Sequence, residues 1–284
     1  MIMKKIAVLT DSAANLTESF VKKHDNLFVV PLKIIIDGKE YRDQEEISAE
    51  EVYQKLDHHE VKTSLPILTD IEDRIKTIKE KGFTHVVVVN ISSGLSGTFN
   101  SFRLALEEEK DLEIVQYDTL TLGAGEGFIV QYALELIEDG CPFDDIKDKL
   151  HRLRHEDSLA FYTLNTLKYL RAGGRIGKVE GTLGDLLHIK PIITVDDAGE
   201  YVTLSKAFGQ KRAMLKMKSI LLENFEGDKI DLVIHYGNNE DLAKEWAEKL
   251  KPLFDIRNLQ LVRLTPVLGV HTGPEIIAYV ARRV

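Results

Sequence analysis

The 284-residue sequence predicts an α/β protein in two parts. The first is a three-layer unit on a parallel sheet; the second is an α+β unit with a largely antiparallel sheet. Three observations predict this. Strand, loop and helix signals alternate through the first half of the chain, the pattern of a parallel sheet with helices on both faces. Within that alternation, Val86, Val87, Val88 and Val89 form a β-branched run of the kind buried on both faces. After residue 156 the pattern changes to hairpin signals mixed with helices.

Taken in order, residues 6–9 are a buried strand that ends in the polar turn Thr10-Asp11-Ser12, and a helix follows through Phe20 and Val21. Residues 27–36 are a second apolar run, which Pro31 marks as an edge or a bulge. Asp37-Gly38 is a hairpin signal, and Tyr41 begins a short return strand. Ser48 and Glu51 form a capping box, and so do Thr69 and Glu72, the latter ahead of Ile71, Ile75 and Ile78 on one helical face. Between them, Pro66 holds Leu65 extended. The valine strand then runs into the loop Asn90-Ile91-Ser92-Ser93-Gly94-Leu95-Ser96-Gly97-Thr98, with a helix beyond it. Residues 112–117 are the fourth strand, followed by the turn Asp118-Thr119-Leu120-Thr121 and a helix over 124–137.

An amphipathic helix over 143–155 bridges to the second part, so the units divide as 1–156 and 157–284. There the strands are 159–163, 190–195, 201–204, 230–234 and 259–264. Helices are marked by Ala213, Met214, Met217, Ile220 and Leu221, and again over 240–250. Gly173-Gly174 breaks the short apolar stretch that ends at Leu170, and Asp196-Asp197-Ala198-Gly199 makes a hairpin turn. Met214 and Met217 read as core.

Composition narrows the function. Hydrophobic residues are 44% and charged residues 29%, enough to build real cores. The net charge of −9 offers no basic surplus for non-specific binding to nucleic acid. Cys141 is the single cysteine, so no internal disulfide is possible, as expected in a reducing compartment. The apolar stretch after Met1-Ile2-Met3-Lys4-Lys5 is too short for a signal peptide or membrane span, and a cytoplasmic location is expected. His, Cys and acidic residues show no metal-ligand spacing, and no P-loop or dinucleotide fingerprint is present. No metal or cofactor is expected.

Parallel sheets bind ligands at the carboxyl ends of their strands. Three hydroxyl-rich loops would share that edge: Thr10-Asp11-Ser12, the 92–98 loop and the 118–121 turn. Gly94 and Gly97 permit close backbone approach, Ser92, Ser93, Ser96 and Thr98 add hydroxyl donors, and the following helix start offers free amides to an anion. The alternative is an ordinary capped turn. His271-Thr272-Gly273-Pro274 places a histidine in a loop, where it could serve an anion or a proton, or simply bond to backbone. Arg171-Ala172-Gly173-Gly174-Arg175 reads equally as a cationic turn or a helix C-cap. Ser96, His271 and Asp11 or Asp118 form a hydrolase triad on paper. However, Thr98 stands where the nucleophile elbow requires its last glycine. A serine hydrolase or esterase, or a binder of another anionic metabolite, are the alternatives carried forward.

Six ordered motifs resemble the DegV family of bacterial fatty-acid-binding proteins over nearly the full length: Thr10-Asp11-Ser12, Thr63-Ser64-Leu65-Pro66, Ser92-Ser93-Gly94-Leu95-Ser96-Gly97-Thr98, Gly173-Gly174-Arg175-Ile176, Ile189-Lys190-Pro191 and His271-Thr272-Gly273-Pro274. The resemblance implies a long-chain fatty acid such as palmitate or oleate held between two domains. Thr63, Ser96 and His271 would hold the carboxylate, supported by Ser64, Gly94, Gly97, Thr98, Arg175 and Thr272, and the acyl chain would enter a tunnel in the second domain. It further implies a non-catalytic subunit that presents the acid to an ATP-dependent fatty acid kinase for acyl-phosphate formation. Two positions depart from the family pattern: Glu275 replaces the usual glycine after His-Thr-Gly-Pro, and Phe208 replaces an arginine in the basic segment used with the kinase.

Overall fold

The structure is a computed structural model that describes residues 4–182 and 189–284. Met1, Ile2 and Met3, the start of the N-terminal stretch considered above, lie outside the described residues. β1 (Ile6–Asp11) leads through one 3-10 turn and α1 (Glu18–Lys23) to β2 (Leu27–Val30). Pro31 does more than mark an edge. It lacks the N–H a ladder needs, and residues 27–36 become two strands in different sheets, β2 and β3 (Lys33–Ile36). At Asp37-Gly38, with φ of 50° and 81°, β3 turns into β4 (Lys39–Arg42). α2 (Ala49–Lys55) starts at the reciprocal Ser48–Glu51 capping box. Next come β5 (Val61–Ser64), which pairs with β3, and α3 (Leu68–Glu80). The second expected capping box does not form. Ile67 precedes the helix without a side-chain cap, Thr69 falls within its first turn, and burial of Ile71, Ile75 and Ile78 sets the helix instead.

β6 (His85–Asn90), α4 (Thr98–Leu106), β7 (Glu113–Asp118), α5 (Ala124–Glu138) and α6 (Phe143–Arg152) complete the first half. The parallel sheet runs β2-β1-β6-β7. Alternation along β6 feeds both faces: Val86 and Val88 pack with Ile71, Ile75 and Phe102, while Val87 and Val89 pack with Ile129, Phe143 and Ile146. The three layers expected from the sequence are therefore present. A small antiparallel sheet, β4-β3-β5, stands beside them.

A π-helical turn at Leu153–Asp157 connects to β8 (Ser158–Thr163). The second half continues with α7 (Lys168–Ala172), β9 (Ile189–Val195), β10 (Tyr201–Phe208), α8 (Gly209–Phe225) and β11 (Lys229–Tyr236). It ends with α9 (Glu240–Leu250), β12 (Asp255–Arg263), α10 (Pro266–Thr272) and β13 (Ile277–Arg283). The sheet order is β10-β9-β8-β13-β11-β12, antiparallel except for β11 with β12. Its core includes Phe161, Met214, Met217 and Trp246, as expected of the methionines.

Two features depart from the sequence reading. β13 forms from residues that the sequence reading assigned to no element, yet it lies between β8 and β11 near the middle of the sheet. His271 and Thr272 are not in a loop. Pro266 opens a short helix, which ends at Gly273 with φ of 74°, and the two residues form its last turn.

Candidate functional site

The three hydroxyl-rich loops do converge, at the carboxyl ends of β1, β6 and β7. Above them lie the end of β5, the last turn of α10 and the turn after α7. Of the three loops only 92–98 reaches, through Leu95 and Ser96, a cavity of about 210 Å³ lined by Thr63, Ser64, Ser96, Arg175 and His271; residues 10–12 and 118–121 do not line it. Its apolar wall comes from Leu32, Ile91, Leu95, Leu122, Tyr201 and Leu268, among others.

Thr63 Oγ1 and His271 Nε2 are hydrogen-bonded at 2.8 Å. Ser96 Oγ lies 2.8 Å from Thr98 Oγ1 and accepts from the Thr98 N–H at 3.3 Å. Arg175 is anchored by Nε to the Leu95 carbonyl at 3.3 Å and by Nη1 to the Gly173 carbonyl at 2.7 Å. α4 begins at Thr98 without a side-chain cap from Gly97, and its first N–H is taken by Ser96 Oγ. Burial, with Arg175 adding to it, pulls the His271 pKa down to about 4. Near neutral pH the ring is therefore uncharged and carries one donor nitrogen. Its Nδ1 is buried without a partner and faces Gly173, where a Cβ would come within 2.0 Å. Glycine at 173 is what lets the histidine occupy this place.

The remaining expected residues play different parts. Gly94, Gly97, Thr98 and Thr272 do not line the cavity. Thr98 is fully buried beneath Ser96, and Thr272 bonds back to the Leu268 carbonyl at 3.3 Å. Gly94 faces Gly199 so closely that a Cβ would lie 2.5 Å from its carbonyl oxygen. Glu275 is exposed and does not line the cavity, and Phe208 is 56% exposed on β10.

Two buried acids hold this edge together: Asp11, a paper triad candidate, and Asp43, which the sequence left without a role. Asp11 accepts from the backbone N–H of Ala13 and of Ile91, both at 3.0 Å, and from Asn90 Nδ2 at 3.2 Å. Asp43 accepts from Ser12 Oγ at 2.6 Å, Thr265 Oγ1 at 2.7 Å and the Val267 N–H at 2.9 Å, which ties the β1 turn to α10. Burial raises both pKa values to about 6. Beside Asp11, Glu126 on α5 is also fully buried, and burial with the neighbouring carboxyl pushes its pKa well above the usual range.

Leu122, Tyr201 and Leu268 are shared with a second, almost wholly apolar pocket of about 40 Å³, whose wall includes Phe161, Val195, Ile276, Ala278 and Val280. His235 closes one side, neutral by burial, its pKa pulled down to about 4. The arrangement is a polar-lined cavity and a small apolar pocket with Leu122, Tyr201 and Leu268 as common walls. It does not assemble a hydrolase relay. Ser96 is bonded to Thr98, and His271 to Thr63, while Nδ1 meets no carboxylate. Asp11 and Asp118 are committed to loop backbone N–H groups. Among the described residues, no group of three or more His, Cys, Asp or Glu side chains is placed to hold a metal, and no helix is long and apolar enough to cross a membrane.

Fold and cavity define an α/β protein with a polar-lined cavity and an adjoining apolar pocket at the edge of a parallel sheet. Comparison with known proteins places it. The profile of the DegV family, described as uncharacterised, matches residues 5–283, and the chain belongs to that family. A DegV domain-containing protein of Clostridium perfringens is 41% identical over 276 residues, covering 97% of each chain. Among solved structures, a fatty-acid-binding DegV family protein from Thermus thermophilus superposes with a TM-score of 0.90 at 30% identity, covering 99% of this chain and 100% of that one. A stearic acid-binding protein from Eubacterium ventriosum has a TM-score of 0.86 at 29% identity, covering 99% of this chain and 98% of that one.

Proposed function

We propose that this protein binds one long-chain fatty acid, such as palmitate or oleate, with its carboxylate at Thr63, Ser96 and His271. Ser64, Gly94, Gly97, Thr98, Arg175 and Thr272 shape or support that end. The acyl chain passes Leu122, Tyr201 and Leu268 into the apolar pocket between units 1–156 and 157–284. One observation carries this reading: a cavity lined by hydroxyl, arginine and histidine donors that shares Leu122, Tyr201 and Leu268 with an adjoining apolar pocket. A buried carboxylate requires several donors, which hydroxyls, Arg175 and a neutral histidine supply. Each methylene removed from water contributes about 0.8 kcal/mol, so the apolar end supplies most of the affinity. The names of the solved relatives point the same way.

The protein performs no chemistry on the acid itself in this proposal. It presents the carboxylate to an ATP-dependent fatty acid kinase, the role implied by family resemblance, with Lys206, Lys211 and Arg212 retaining positive charge around Phe208. Native mass spectrometry and lipid extraction of protein purified from a bacterial host test the binding. A co-purified fatty acid is expected. Protein that is empty and also fails to take up palmitate or oleate refutes it.

A further inference from the structure

The 92–98 loop is tied to the second sheet by a contact that none of its proposed carboxylate donors makes. Ser92 is fully buried, and its hydroxyl donates to the Gly199 carbonyl at 2.7 Å while accepting from the Gly94 N–H at 3.2 Å. Its own carbonyl accepts from the N–H of Leu95 at 3.1 Å and of Ser96 at 3.0 Å. One residue therefore sets both the backbone that presents Ser96 and the distance to the β9–β10 turn. Fit at this joint is close on both sides. A Cβ at Gly94 would lie 2.5 Å from Gly199 O, and a Cβ at Gly199, where φ is 77°, would lie 2.2 Å from Ser92 Oγ.

The turn is itself braced. Asp196 Oδ1 accepts from the N–H groups of Ala198 and Glu200, both at 3.0 Å. Lys178 reaches Asp196 at 2.7 Å and Glu200 at 3.0 Å. Lys178 lies three residues beyond Arg175, and Arg175 returns to the loop through the Leu95 carbonyl at 3.3 Å. With the chain from Arg175 to Lys178 as one link, these contacts close a ring: Ser92, the 196–200 turn, Lys178, Arg175, Leu95 and back to Ser92.

We infer that Ser92 is a positioning residue for the head-group end of the pocket, acting through the β9–β10 turn to hold Ser96 and Arg175 in register with one another. The inference rests on the proposed fatty-acid function. Ser92 does not line the cavity, so it would contribute to carboxylate binding only by aiming groups that do. Removing its hydroxyl frees the Gly94 N–H and the Gly199 carbonyl and lets the loop and the turn separate. Of the groups placed against the acyl chain, Leu268 and Ile276 belong to other elements, and Val195 and Tyr201, at the base of the turn, stay fixed by their β9–β10 pairing.

The test compares palmitate with hexadecanol, which has the same chain length and no carboxylate. Ser92→Ala should weaken palmitate binding about tenfold, equivalent to about 1.4 kcal/mol, and leave hexadecanol affinity within about twofold. Asp196→Ala loosens the turn from its exposed side and should show the same selective loss in smaller degree; it decides the matter if Ser92→Ala does not fold. Equal losses for acid and alcohol mean a purely structural joint and overturn the inference, as does unchanged palmitate affinity in a folded variant. Wild-type protein that binds neither ligand instead overturns the fatty-acid function, so the two failures are told apart.

Discussion

His235 should make the stability of this protein respond to acid in a way that one substitution removes. The ring is 2% exposed; Nδ1 lies 3.0 Å from the Val262 carbonyl, and Nε2 accepts from the Ala124 N–H at 2.9 Å, at the start of α5. These partners require the neutral tautomer with the proton on Nδ1. Protonating Nε2 would remove that acceptor and place a positive charge at a helix N-terminus. Burial accordingly lowers the pKa from 6.5 to about 4. A histidine depressed in the folded state contributes its stability above the unfolded value and loses it as pH falls through the window from 6.5 to about 4. The full loss is about 3 kcal/mol, at roughly 1.4 kcal/mol per pH unit. Asp11 and Asp43 act in the opposite sense. Their raised values, about 6 against 3.8, add stability as pH falls through that interval, which flattens the wild-type profile. His235→Gln keeps an acceptor for the Ala124 N–H and does not titrate. Urea unfolding of both proteins across about pH 7 to 4 isolates the histidine, because the aspartates and His271 cancel in the difference. The variant should gain about 3 kcal/mol on wild type over that range. A stability difference that stays constant with pH would refute the linkage.

Three further outcomes are expected. Ser96→Ala and His271→Ala should each weaken palmitate binding roughly 10- to 100-fold, as expected for a lost hydrogen bond to a charged group, with unfolding midpoints little changed; unchanged affinity in both would mean the carboxylate sits elsewhere. Gly173→Ala should displace the imidazole, since its Cβ would fall 2.0 Å from Nδ1, and a histidine NMR spectrum identical to wild type would contradict the packing. Ala278→Phe, in the wall of the apolar pocket, should reduce affinity for stearate while sparing octanoate, and equal loss for both chain lengths would show that the acyl end does not reach this wall.

Local patterns account for much of the architecture. The valines of β6, the Asp37-Gly38 turn, the Ser48–Glu51 box and the stretch now seen as α9 act within a few residues, so periodicity and turn chemistry reveal them directly. Pro31 was legible as an interruption but not as a change of sheet, because β3 pairs not only with its hairpin neighbour β4 but with β5, whose register depends on tertiary pairing. The second capping box failed for a similar reason: burial of one helical face outweighed a polar cap.

The same division runs through the site. By itself, the sequence determined that hydroxyls and glycines would gather in polar turns, and that Val86 to Val89 would carry one such turn to the carboxyl edge of a parallel sheet. These are properties of residue type and spacing. The loop it expected around His271 is the last turn of a helix. Only the tertiary structure decided that Thr63 meets His271 across 208 positions, that Gly173 makes room for the imidazole, and that Ser92 is locked to Gly199. It also inserted β13 between β8 and β11, where its inward side chains form part of the apolar pocket. Contacts of that range depend on which strands pair and how closely two backbones approach, and no local window of residues contains either quantity.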